Sequence, residues 1–100
     1  MGARSEVHVV GHPYPVVFDA LTRCLPSAGF RIADVDPGRG RLRLETRNTR
    51  LIVAVGAVDA ITTEWVATSE LKLGLLRDRH AEKFAAIRDA LDGYLATYYG

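Results

Sequence analysis

The stretch FRIADVDPGRGRLRLETRNTRLIVAVGAVDAITTEWVATSELKL, residues 30–73, decides the fold. Leu42, Leu44 and Thr46 alternate with Arg41, Arg43, Glu45 and Arg47. That period of two puts an apolar face on a core and a charged face in water, as in an antiparallel strand. Leu51 to Val58 is apolar everywhere except Gly56, and β-branched Ile52, Val53, Val55 and Val58 favour a central strand over a short buried helix. From Ile61 to Leu73 the alternation returns, with Thr63, Trp65, Ala67, Ser69, Leu71 and Leu73 on one side. This run is long for a strand, so a bend or bulge is expected in it. Upstream, Phe30, Ile32 and Asp34 point one way and Arg31, Ala33 and Val35 the other. Asp36-Pro37-Gly38-Arg39 carries proline and glycine at the central positions of a type II turn, with Gly40 as slack, and Asn48-Thr49 and Asp59-Ala60 mark two further turns. Strands joined this tightly form an antiparallel meander, because parallel neighbours need a long crossover.

Outward from the meander, Ser5 to Val10 reads as a first strand closed by Gly11. Pro15 has the fixed φ favoured at a helix start, and Val17, Ala20, Leu21, Cys24 and Leu25 follow at helical spacing until Pro26 and Gly29 end the helix. On the carboxyl side Gly74 closes the sheet and Asp78 is the expected N-cap. Phe84, Ile87, Leu91, Tyr94, Leu95 and Tyr98 then make one apolar stripe on a helix over about residues 79–98. The expected domain spans residues 1–100 as a two-layer α+β fold in the order β-α-β-β-β-β-α. In it a curved five-stranded antiparallel sheet packs on a long C-terminal helix.

This order, with the Ala20-Leu21 to Gly29-Phe30 and Asp36 to Gly40 signals, resembles the TBP-like or helix-grip fold over nearly the whole chain. The resemblance implies a fold and no particular chemistry. Its members include hydrophobic-ligand carriers, cyclases, nucleic-acid binders and small assembly domains.

Composition narrows the field further. Thirteen basic against twelve acidic residues leave a net charge of +1, which argues against a nucleic-acid platform. The single cysteine, Cys24, excludes a disulfide framework within the chain and is expected to fill space on the first helix. No apolar run approaches the ~20 residues of a membrane span, and no signal-peptide pattern opens the sequence, so a cytoplasmic setting is expected.

The chemistry-bearing residues are sparse. His8 and His12 are four apart but straddle Gly11 and a strand end, and His80 is distant, so no metal and no cofactor are expected. Arg31, Arg41, Arg43 and Arg47 form a basic strand face that could meet an anionic partner. Trp65, Leu71, Phe84, Ile87, Leu91 and Tyr94 are candidate walls of an apolar pocket between sheet and last helix. Ile52, Ala54, Val58, Leu75 and Leu76 are apolar residues left for a self-association or partner interface. With no nucleophile–base pair at a recognisable spacing, the sequence reads as a non-enzymatic interaction module that self-associates or docks on a protein. The alternative is a carrier of a small apolar ligand.

Overall fold

The computed structural model describes residues 3–47, 49–71 and 80–99. Its elements are β1 (Ala3–Val10), α1 (Tyr14–Cys24), a 3-10 turn (Pro26–Ala28), β2 (Arg31–Asp36), β3 (Arg41–Glu45), β4 (Thr49–Asp59), β5 (Thr62–Leu71) and α2 (His80–Tyr98). The sheet is open and antiparallel in the order β1-β5-β4-β3-β2. Both helices bury their stripes in one core on one face of it. The meander and the two-layer α+β arrangement are those expected.

Helix α1 starts where proline allows. Pro13 is the extended N-cap, and Pro15 lies in the first turn, where a missing N–H costs nothing. Its end is set by Pro26 and by Gly29, whose φ of 95° lets the Phe30 N–H return to the Leu25 carbonyl. Phe84, Ile87, Leu91 and Leu95 of α2 are buried with Leu42, Leu44, Leu51, Val53 and Trp65 of the sheet. Tyr98, expected on the same stripe, is exposed. At ~1.5 Å per residue α2 is about 28 Å long, and its burial ends at Leu95, one turn before Tyr98.

Three local expectations are corrected. In β2 the register shifts between Ile32 and Asp34, so Ala33 is an extra residue. Beyond this bulge Asp34 stands opposite Arg43 on the charged face instead of beside Phe30 and Ile32. The irregularity expected in the long β5 falls in its partner, between Ala57 and Asp59 of β4. At the β2–β3 turn Gly38 lacks the positive φ of a type II turn; Gly40 is the left-handed residue, with φ 68°. Two successive bonds, Arg39 N–H to the Asp36 carbonyl and Gly40 N–H to the Pro37 carbonyl, wind the chain into that conformation. The Gly40 carbonyl then accepts the Val55 N–H at 2.7 Å, fastening the turn to β4. Gly40 is therefore a conformational requirement and not slack.

Candidate functional site

On α2, Ala86, Ala90, Tyr94 and Tyr98 follow one another at intervals of four and make a second stripe beside the buried one. Its small residues keep α2 from filling the space toward α1. An open cleft of about 680 Å³ results, with Arg23, Cys24 and Ala28 on the other side. The Tyr94 and Tyr98 rings lie 4.5 Å apart and form an aromatic wall. Arg23 reaches its rim, with Nε donating to both carboxylate oxygens of Asp19 at 3.1 and 3.0 Å, which strengthens its hold on its proton. Desolvation raises the Tyr94 phenol against the opposing pull of Arg23. At the floor, burial pushes the Cys24 thiol up to about 11, so it is neutral at physiological pH.

Of the six residues expected to line a pocket, Trp65, Phe84, Ile87 and Leu91 come together in the core, each at most 2% exposed. Tyr94 stands apart from them, in the α1–α2 cleft. Leu71 ends β5, and its side chain is outside the described residues.

The arginine face is largely matched by acids. Arg31 pairs with Glu45, Asp34 stands opposite Arg43, and Asp36 stands opposite Arg41. Arg41, Arg43, Arg39, Asp34 and Asp36 share a small depression of about 140 Å³. Arg47 is exposed just beyond β3. The bulge at Ala33 creates this matching by turning Asp34 toward the arginines.

On the side of the sheet away from the helices, Ile52 and Ala54 of β4 face outward beside Val66 of β5 and Val7 of β1. Val58, near the β4–β5 turn, is also exposed. Leu75 and Leu76 lie outside the described residues.

A further pair escaped the sequence reading. Glu6 and His8 are two apart on β1, so they share a face, and His8 Nε2 lies 3.0 Å from Glu6 Oε1. The His8 ring stacks on Trp65 with centroids 4.6 Å apart and planes 24° from parallel. The available signal was a period of two in β1, with valines at 7 and 9 and polar residues at 6 and 8. No group of three His, Cys, Asp or Glu side chains suited to a metal occurs among the described residues. No described helix is long and apolar enough to cross a membrane.

No protein-family model and no curated protein matches the chain. Solved structures do. The Zhui aromatase/cyclase from Streptomyces sp. R1128 aligns at 16% identity with a TM-score of 0.50, over 95% of this chain and 86% of that one. Ara h 8.0201 aligns at 12% identity with a TM-score of 0.41, over 95% and 97%. The chain thus has the helix-grip fold, as its element order implied. The expectation of a non-enzymatic domain is corrected by the same finding, because an aromatase/cyclase is built on this architecture. Residues brought together from distant parts of a chain leave no recognisable motif spacing in its sequence.

Proposed function

We propose that this chain binds a small apolar ligand against the flank of α2, in the cleft that α1 and α2 enclose. The observation that carries the reading is the cleft itself. Its volume of about 680 Å³ falls within the ~300–1,000 Å³ of small-molecule sites. An aromatic pair and three alanines give it apolar walls, and Arg23, Ser27, Asp89 and Thr97 add polar groups around them. The helix-grip fold, shared with an aromatase/cyclase, supports a small-molecule role over a purely docking one. In this reading Tyr94 touches the ligand, while Trp65, Phe84, Ile87 and Leu91 hold the helix to the sheet behind it.

The test is titration with the neutral dye N-phenyl-1-naphthylamine. Saturable fluorescence enhancement is expected in the wild type. Ala90→Phe should abolish it by filling the cleft, and Tyr94→Ala should weaken it at least fivefold. Undiminished binding by a folded Ala90→Phe variant would refute the site.

A further inference from the structure

Strand β1 departs from the usual polarity of a two-layer sheet at four successive positions, 6 to 9, before Val10 returns to the core. Val7 and Val9 face away from the helices and are 57% and 64% exposed. Glu6 and His8 point to the helix side, in register with Ala67 and Trp65 of the core. A slip of one residue would turn Val7 and Val9 inward in exchange for Val10, which packs on the core, and would expose the polar pair, so this register gives up the burial of one valine and keeps Glu6 and His8, 40% and 26% exposed, on the helix side. An inward charge also discourages edge-to-edge pairing of sheets. That purpose needs only one charge. It requires neither a carboxylate 3.0 Å from an imidazole nor an imidazole seated on the only tryptophan.

The geometry is that of an oriented base. With the Nε2–H donated to Glu6, the neutral ring keeps its acceptor lone pair on Nδ1, which has no hydrogen-bond partner among the described residues. Trp65 fixes the plane of the ring. The His8 side chain is 26% exposed, so a small molecule can reach it, while the neighbouring Trp65 and Ala67 make its surroundings apolar. We propose that Glu6 and His8 form a general-base site for a small, weakly acidic, largely apolar molecule. His8 Nδ1 accepts the proton, and Glu6 is the positioning residue that holds the tautomer.

The probe is 5-nitrobenzisoxazole, whose ring opening needs only a base. Nδ1 takes the C3 proton, the C–H electron pair becomes the third bond of a nitrile, and the N–O bond breaks to give 2-cyano-4-nitrophenolate. The imidazolium then returns its proton to water. The wild-type protein should exceed equimolar imidazole at the same pH by at least tenfold. His8→Gln should remove that excess, and His12→Gln should keep it. A wild-type rate equal to that of imidazole, or an excess that survives His8→Gln, overturns the proposal. An independent readout on the wild type is the ¹⁵N spectrum of neutral His8. The Nε2–H tautomer is expected, giving way to a mixture in Glu6→Ala; an Nδ1–H tautomer in the wild type overturns the role of Glu6.

Discussion

Replacing Gly40 with alanine tests the β2–β3 turn at its tightest point. An added Cβ there would lie 2.3 Å from the Val55 carbonyl oxygen and 3.1 Å from the Tyr14 hydroxyl. The first neighbour is backbone of the central strand and cannot swing aside. Holding a residue with a Cβ at a φ of 68° costs roughly 1–2 kcal/mol by itself. Relieving the overlap pulls the turn from β4 and weakens the Val55 N–H bond to the Gly40 carbonyl, a further ~1–2 kcal/mol. The sum is about 3 kcal/mol. With a urea m-value of about 1.5 kcal/mol/M for a chain of this size, the unfolding midpoint should fall by about 2 M. Trp65, the only tryptophan and buried in the core, reports that transition by fluorescence. The control is Gly38→Ala, two residues away, where φ is not positive and an added Cβ would meet only Asp36 Oδ1 at 3.6 Å. That change should be neutral or stabilise by up to ~1 kcal/mol through the unfolded chain. Equal midpoints for the two variants would refute the reasoning, because composition and location in the hairpin are nearly matched and only backbone geometry differs.

Two further outcomes follow from buried polar groups. The Thr63 hydroxyl, fully buried, donates to the His12 carbonyl at 2.7 Å, so Thr63→Val should destabilise by ~1–3 kcal/mol in the same urea assay; a loss under 0.5 kcal/mol contradicts that role. Burial raises Cys24 from 9.0 to about 11, so its contribution to stability is complete below pH 9 and disappears as pH rises through 11. Wild type should therefore lose roughly 2–3 kcal/mol more than Cys24→Ala between those pH values, and parallel pH profiles would count against it.

The helix-grip order was legible because its signals are local and repeated. Alternation in Arg41–Glu45, the apolar run of β4 and the stripe Phe84-Ile87-Leu91 each name an element and the face it buries. What stayed hidden depends on a single residue or on a distant partner. Ala33 is an unremarkable alanine, and nothing in its identity says that it is left out of the ladder, yet it decides where Asp34 points. The polarity of β1 was written in its alternation, but which side meets the helices is fixed by its pairing with β5, some sixty residues away. Tyr94 shares the helical spacing of the core stripe and differs only in meeting α1, a fact of helix placement that periodicity does not contain. Function was less legible than fold for the same reason, since the Glu6–His8 pair gains meaning only on contact with Trp65.

The pairing of β1 with β5 has a consequence for assembly. Strands β2 to β5 join through short hairpins, whereas the first strand must close a loop of about half the chain, from Val10 to Thr63, before gaining a single ladder bond. Such closure costs more chain entropy than a hairpin turn does, so the β1–β5 pairing leans on the side-chain contacts made across it. His8 meets Trp65 only through that pairing. The imidazole–indole stack is a seal that only a finished molecule carries, and a chain with β1 unpaired is without its base.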